Sequence, residues 1–376
     1  MKLVAAAMLS LAALSSPAES CELTLPTVVT AGQWFTGQWR LTGPRQVPAQ
    51  ILRSNINTPD SLVATATKLR GSFRAWATNV LGMHTYTITG ANGVVCTAKV
   101  TFNYHPPHGD GYDIILSAGQ SNEVGTGFGP FSDPLQSAIF DEKILQIGRY
   151  GKSDGLIVPV GYWQNGHNFD GLHSHNMNEN DVAMGSVLTF ARNYTRFALK
   201  PNRRVLIVPA AQGSTSLEEW SDYSGPLYTD FIQRARLALS MPGNNRVIAI
   251  SWDQGEFDIN DAVNGTGLTA DQYQALLIQF MHRIRTDISQ GQVPILMVGM
   301  VPDWLSGDGP ALQIKSAFTA AIQNAASQIT NAAYVSPAGL KSDAMMGQPG
   351  TSVHYCAQSQ IEIGKRKWLA LKAMMN

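Results

Sequence analysis

Charge is scarce in this chain. Asp, Glu, Lys and Arg make up 14% of its 376 residues, and 27 basic side chains face 27 acidic ones, a net charge of zero. Without a basic excess there is no field to gather nucleic acid or an anionic surface, so no nucleic-acid partner is expected and the substrate is neutral or small. Long apolar runs are missing too. The apolar stretch from Leu3 to Leu14 falls short of the roughly 20 residues that a helix needs to cross a bilayer, and no later stretch suffices, so no membrane span is expected. Phosphate-loop and metal signatures are also absent. Gly125-Thr126-Gly127-Phe128-Gly129 lacks the Lys-Ser/Thr of a phosphate loop and reads as a flexible rim. His173-x-His175 has no carboxylate or thiol partner at ligand spacing. Neither a metal nor a cofactor is expected.

Cysteine is the next scarcity, with three in the chain. Cys21 and Cys96 are placed to staple the first and last strands of an N-terminal domain in an oxidising compartment. Cys356 is then a lone thiol two residues after His354. It reads as a small apolar residue opening a helix, because exported free thiols oxidise. The compartment follows from the first residues. Lys2, the apolar core Leu3 to Leu14 and the small-residue stretch Ser15-Ser16-Pro17-Ala18 have the form of a secretory leader over residues 1–20, which predicts a secreted or periplasmic protein. Glu19 and Ser20 make Cys21 a poor lipidation site.

What is present divides into two rhythms. Residues 21–104 alternate in strand fashion: His84 to Gly90, the hairpin signal Asn92-Gly93, then Val94 to Tyr104, with Trp34, Phe35 and Trp39 spaced over the faces of an earlier strand. This predicts a small all-β, immunoglobulin-like sandwich. The Pro- and Gly-rich stretch 105–111 is a linker. From 112 to 376, short continuous apolar runs alternate with helical spacing. Strands are expected at Asp113–Ala118, Ile144–Ile147, Val205–Val208, Val247–Ile250, Pro294–Met300 and Ala333–Val335. Helices are expected at Asp181–Phe197, Leu227–Leu239, Leu268–Ile288, Ala311–Ile329 and Ala357–Met374. Such a pattern predicts an α/β domain whose parallel sheet is covered on both faces, of about five strands as in a flavodoxin-like fold.

The polar motifs fall where that fold places ligands, beyond the carboxyl ends of its strands. Gly119-Gln120-Ser121-Asn122 follows the first strand and can present Ser121 as a nucleophile, provided a base stands beside it. Gln212-Gly213-Ser214-Thr215 follows the strand ending near Pro209, and Asp253-Gln254-Gly255-Glu256 the strand ending near Trp252. His354, in the loop before the last helix, is the candidate base. Gly213 stands at a turn expected to demand positive φ, a conformation compatible with offering its amide. Ser121 as a plain helix cap is the weaker reading given the accompanying motifs, and Glu123 at the last position rules out the G-x-S-x-G elbow. Lys365-Arg366-Lys367 reads as the solvated face of the closing helix, and Asp258 as structural.

Over residues 112–375 these motifs resemble those of the SGNH hydrolases, in the sialate O-acetylesterase-like branch that includes carbohydrate esterase family 6. Gly119-Gln120-Ser121-Asn122 matches the block holding that family's nucleophile. Ala211-Gln212-Gly213-Ser214 with Trp220 is similar to the second block, whose glycine amide helps form the oxyanion hole. Trp252-Asp253-Gln254-Gly255-Glu256-Phe257-Asp258 is similar to the Gln-Gly-Glu-x-Asp block, and Ser352-Val353-His354-Tyr355 to the block of the catalytic histidine. The resemblance implies a serine esterase that removes O-acetyl groups from a carbohydrate. Its oxyanion hole would be the amides of Ser121 and Gly213 with the Gln254 side chain. Gln120, Asn122 and Trp220, within the matched blocks, are the substrate-binding candidates. Many relatives carry aspartate three residues before the histidine, where this chain has Thr351. The resemblance then implies Glu256 as the third triad member, with Asp343 as the alternative. A non-catalytic glycan-binding protein that keeps the fold, and an acyltransferase using the same acyl-enzyme, are the competing functions.

Overall fold

The computed structural model describes residues 20–30, 33–42, 46–55, 58–77, 82–91, 95–103, 110–128, 143–149, 157–159, 183–348 and 351–375, with Gly93 and Gly155. The expected leader before Ser20, most of the expected linker and the His173-x-His175 pair lie outside the described residues. The chain forms two compact units, Met1–Tyr104 and His105–Asn376.

The first unit is all β. Its strands are β1 (Ser20–Thr24), β2 (Val28–Thr30), β3 (Trp34–Thr42), β4 (Ala49–Asn55), β5 (Thr58–Ala66), β6 (Arg70–Trp76), β7 (Gly82–Thr89) and β8 (Val95–Asn103). They form two sheets, ordered β1-β3-β6 and β2-β8-β7-β4-β5. The expected hairpin pairs His84 with Val100 and Thr89 with Val95. Alternation along each strand turns one row of side chains inward. Leu23, Phe35, Leu41 and Phe73 of one sheet meet Ile51, Tyr86, Ile88, Val100 and Phe102 of the other in a single core. Cys21 on β1 is bonded to Cys96 on β8, so the disulfide joins the two sheets across 75 residues of chain.

The second unit is α/β. In chain order it contains β9 (Tyr112–Gly119), α1 (Ser121–Val124), β10 (Gly127–Phe128), β11 (Ile144–Ile147), β12 (Ile157–Pro159), β13 (Ala183–Met184), α2 (Val187–Phe197), β14 (Arg204–Pro209), α3 (Leu217–Ser221) and α4 (Pro226–Ser240). It continues with β15 (Arg246–Asp253), α5 (Glu256–Val263), α6 (Ala270–Asp287), β16 (Ile295–Val298), α7 (Gly309–Gln328), β17 (Ala332–Val335) and α8 (Ala357–Met374). The main sheet runs β12-β11-β14-β9-β15-β16-β17. Only β12 pairs antiparallel; the other six described strands run parallel. The sheet is therefore larger than the five or so strands expected. Without its edge pair β12-β11, the order reduces to 2-1-3-4-5, the flavodoxin arrangement.

Burial explains the continuous apolar runs. Every residue of β9, β11 and β16 is buried, as a sheet covered on both faces requires. On one face Phe190 and Tyr194 of α2 and Ile363, Trp368 and Leu371 of α8 pack with Ile115, Val205, Ile207 and Val298. Trp252 of β15 instead contacts Phe280 of α6 and Trp220 of α3, with ring centroids 5.0 and 5.4 Å apart. Helices α3 and α6 each open with a capping box, Ser216 with Glu219 and Thr269 with Gln272. Helix α2 starts at Val187, six residues later than the spacing predicts, because Ala183–Met184 pair with Gly127–Phe128 as a short strand. At the amino end of β9, buried Asp113 accepts from Arg203 (2.8 Å), Arg246 (2.6 Å) and Tyr194 (2.6 Å), fastening three elements to one carboxylate.

Candidate active site

The site begins where β9 ends. Chains β14 and β15 flank β9 and lead to opposite halves of the sheet, so a crevice opens at its carboxyl end. The turn there is very tight. Gly119 has φ +132°, and a Cβ on it would lie 2.2 Å from the Asp253 carbonyl oxygen. Only glycine fits both demands. The Gln120 amide donates to that same carbonyl at 2.8 Å, and α1 follows at once with Ser121 as its first residue.

Ser121 Oγ lies 3.0 Å from His354 Nε2, across 233 residues of sequence. That distance is within the reach of a nucleophile and its general base. Burial lowers the His354 pKa from its ordinary 6.5, which leaves the imidazole neutral and able to accept a proton at neutral pH. Gly213 also belongs to the cluster. A Cβ built on it would find Ser121 Cβ at 3.9 Å, so its side-chain position faces Ser121. The positive φ expected at Gly213 is found one residue later, at Ser214 with φ 57°.

Buried Glu256 accepts a hydrogen bond from Asn122 Nδ2 at 2.6 Å through Oε1, while its Oε2 has no hydrogen-bond partner among the described residues. Among the described residues, no hydrogen bond joins the Glu256 or Asp343 carboxylate to the His354 ring, whose Nε2 faces Ser121. Asp343 is tied to the histidine through the backbone, its amide donating to the His354 carbonyl at 2.9 Å. Burial pushes the Glu256 carboxyl up to about 7, against the opposing Asn122 hydrogen bond, with the Asp258 charge adding to the rise. Asp253 is also pushed well above the usual carboxylate range, by burial and by the Glu256 charge, and neither of its side-chain oxygens has a hydrogen-bond partner among the described residues.

Three expected roles are corrected by side-chain partners. Gln254 was a candidate oxyanion donor, but its Nε2 donates to the Thr215 carbonyl (3.0 Å) and to Asp258, which uses both hydrogens. Trp220, a substrate-binding candidate, is fully buried. Its Nε1 donates to Thr215 Oγ1 at 2.9 Å, and its ring packs on Phe231 and Trp252. Asn122, another such candidate, is fully buried and its side chain is engaged by Glu256, Val353 and Tyr355. Gln120 is buried beside the nucleophile, its Oε1 3.4 Å from the Phe257 amide. Asp258 is structural: it receives the Leu217 amide at 3.0 and 3.1 Å and so anchors the start of α3.

Sequence reasoning missed a buried ion pair behind Ser121. Lys367, read as solvated, has no exposed side-chain surface and lies 2.6 Å from Glu123 Oε2. It also donates to Ser186 Oγ at 2.6 Å, and Ser117 Oγ donates to Glu123 at 2.7 Å. The signal was available in the spacing of Ile363, Gly364, Lys367, Trp368 and Leu371, which puts Lys367 on the inner face of α8. Cys356 is buried at the cap of α8 with its Sγ 3.3 Å from Ser359 Oγ. Among the described residues, no group of three or more His, Cys, Asp or Glu could hold a metal ion, and no helix is long and apolar enough to cross a membrane.

Comparison with known proteins gives three findings. A family model described as carbohydrate esterase, sialic acid-specific acetylesterase matches residues 111–374. The probable 9-O-acetyl-N-acetylneuraminic acid deacetylase of Escherichia coli (strain K12) is 26% identical, over 53% of this chain and 67% of that protein. Among solved structures, the PKD domain of an M14-like peptidase from Thermoplasmatales archaeon SCGC AB-540-F20 aligns with 23% of this chain and 98% of its own at 11% identity. Its TM-score of 0.18 carries no argument about fold.

Proposed function

Because the chain belongs to the carbohydrate esterase, sialic acid-specific acetylesterase family by its match over residues 111–374, we propose that it is an exported serine esterase that removes O-acetyl groups from a carbohydrate. The observation that carries this reading is the 3.0 Å approach of His354 Nε2 to Ser121 Oγ at the carboxyl end of β9. In the proposed reaction His354 accepts the hydroxyl proton as Ser121 Oγ attacks the ester carbonyl. The amides of Ser121 and Gly213 receive the developing oxyanion, each such donor contributing about 10²–10³ in turnover. The tetrahedral intermediate then expels the sugar oxygen, which takes the proton from His354, and leaves acetyl-Ser121. Water attacks that ester with His354 again as base, releasing acetate and restoring the hydroxyl. An O-acetylated N-acetylneuraminic acid, the sugar in the name of the Escherichia coli relative, is the first substrate to try.

The first unit is proposed to be an immunoglobulin-like sandwich that braces rather than catalyses. The leader pattern supports export, as does a disulfide of the kind that persists in oxidising compartments. The test is turnover of p-nitrophenyl acetate, then acetate release from 9-O-acetylated N-acetylneuraminic acid. Ser121→Ala is expected to lose at least about 10³-fold in kcat. Equal rates for wild type and Ser121→Ala would overturn the reading. A large loss for Asp343→Asn, with none for Glu256 variants, would assign support of the histidine to Asp343.

A further inference from the structure

One side chain beside the nucleophile is used in full without facing any substrate. Asn122 follows Ser121 directly, and its amide reaches both peptide groups that flank the His354 α-carbon. Nδ2 donates to the Val353 carbonyl at 3.0 Å, and Oδ1 accepts from the Tyr355 amide at 3.1 Å. The second Nδ2 hydrogen goes to Glu256 Oε1 at 2.6 Å. The backbone carbonyl of Asn122 is held as well, by Gln360 Nε2 of α8 at 3.0 Å.

We propose that Asn122 is the positioning residue for His354, clamping the histidine loop to the nucleophile turn, and that Glu256 acts on the imidazole only through this amide. The inference rests on the serine esterase reading of the same site. Three partners dictate the amide's orientation. Glu256 and Val353 offer acceptors and Tyr355 a donor, so a flipped amide would set oxygen against two oxygens. The polarity of the clamp is thus fixed by Glu256 on one side and by the histidine backbone on the other. Nucleophile and base sit on segments 233 residues apart, and Asn122 is adjacent to one while bonded around the other. Burial strengthens the arrangement, since Asn122 is fully buried and Glu256 is 2% exposed. An unmet partner in such a place carries a desolvation penalty.

A carboxylate that itself orients a catalytic imidazole loses about 10⁴-fold in turnover when changed to its amide. Glu256 as a partner of Asn122 predicts otherwise, because a glutamine oxygen still accepts from Asn122 Nδ2. Glu256→Gln should lose less than about tenfold in kcat, whereas Glu256→Ala and Asn122→Ala should each lose about 10²-fold, the scale of a misplacement near 1 Å. KM should stay within about threefold, since the clamp orients groups that act in the chemical step. The double variant Asn122→Ala/Glu256→Ala should be no worse than Asn122→Ala alone, as expected for two members of one chain of contacts.

Should Asn122→Ala fail to fold, the pair Asn122→Asp and Asn122→Asp/Glu256→Gln decides the matter. Both set an oxygen against the Val353 carbonyl, and only the second supplies a donor at position 256 to the new carboxylate, so the paired variant should recover part of the activity, about threefold over Asn122→Asp. Two results would overturn the proposal: equal losses of about 10³-fold or more for Glu256→Gln and Glu256→Ala, or no recovery in the paired variant. Ser121→Ala, assayed in parallel, separates the two claims. If it is as active as wild type the esterase reading falls; if it is inactive while the Asn122 results fail, only the clamp falls.

Discussion

The two units keep their polar groups in different places. In the first, the buried polar side chains among the described residues are Gln46 and His84, and the core is otherwise apolar and aromatic around one disulfide. In the second, carboxylates, guanidinium groups and an ammonium are buried, among them Asp113, Glu123, Asp253, Glu256, Arg203 and Lys367. Burying charge is costly unless it is paired, and stability alone does not call for it. The contrast marks the second unit as the one that spends stability on arrangement, and several of its buried charged side chains gather near the two ends of β9. At the amino end Asp113 is saturated by its partners. At the carboxyl end neither side-chain oxygen of Asp253 and only one oxygen of Glu256 has a hydrogen-bond partner among the described residues, a pattern that accompanies functional sites.

That contrast can be tested by breaking each region in turn. Lys367→Met should have the largest effect on stability, about 3–5 kcal/mol, because Glu123 would be left as an uncompensated buried charge; denaturant unfolding of the second unit measures it. If the loss is under about 1 kcal/mol, the pair is not the strut that its burial implies. Replacing Cys21 and Cys96 together by serine should cost the first unit about 2–4 kcal/mol. The rate on p-nitrophenyl acetate should not change, and a loss of turnover would mean that the units are less separable in function than in composition.

The smallest effects concern pH. The Glu256 carboxyl moves from an ordinary 4.5 to about 7 on folding, so between those values the folded state holds a proton that the unfolded chain has released. Stability therefore declines as pH rises across that window. Glu256→Gln should remove part of the decline, with a gain in denaturation midpoint at pH 8 and almost none at pH 4.5. His354, lowered by burial, should place the acid limb of kcat/KM below 6.5. A limb well above that value would mean that a neighbouring anion, rather than burial, governs the ring.

Much of this was legible in the sequence for a physical reason. Buried parallel strands need continuous apolar runs, so β9, β14, β15 and β16 announced themselves, and motifs placed just after them pointed to one end of the sheet. The pairing of Ser121 with His354 was expected from the placement of the motifs and their resemblance to the family's blocks, and the two side chains stand 3.0 Å apart. Partners of buried polar groups were another matter. Glu256 stands in the expected motif, yet its hydrogen bond goes to Asn122, and residue type does not distinguish that partner from the histidine ring. Trp220 and Gln254 sit in the expected motifs but face inward, because Thr215, Asp258 and Tyr273 satisfy their polar atoms. Lys367 was hidden in a run of three basic residues whose other members are more exposed.

Gly119 has a bearing on how variants of this protein should be interpreted. Where its side chain would be, the carbonyl of Asp253 already stands, so the two central strands touch backbone to backbone beneath Ser121. A saturation scan would find position 119 as intolerant as position 121. The first intolerance would report how close two strands must run, and only the second, on the proposed reaction, would report chemistry.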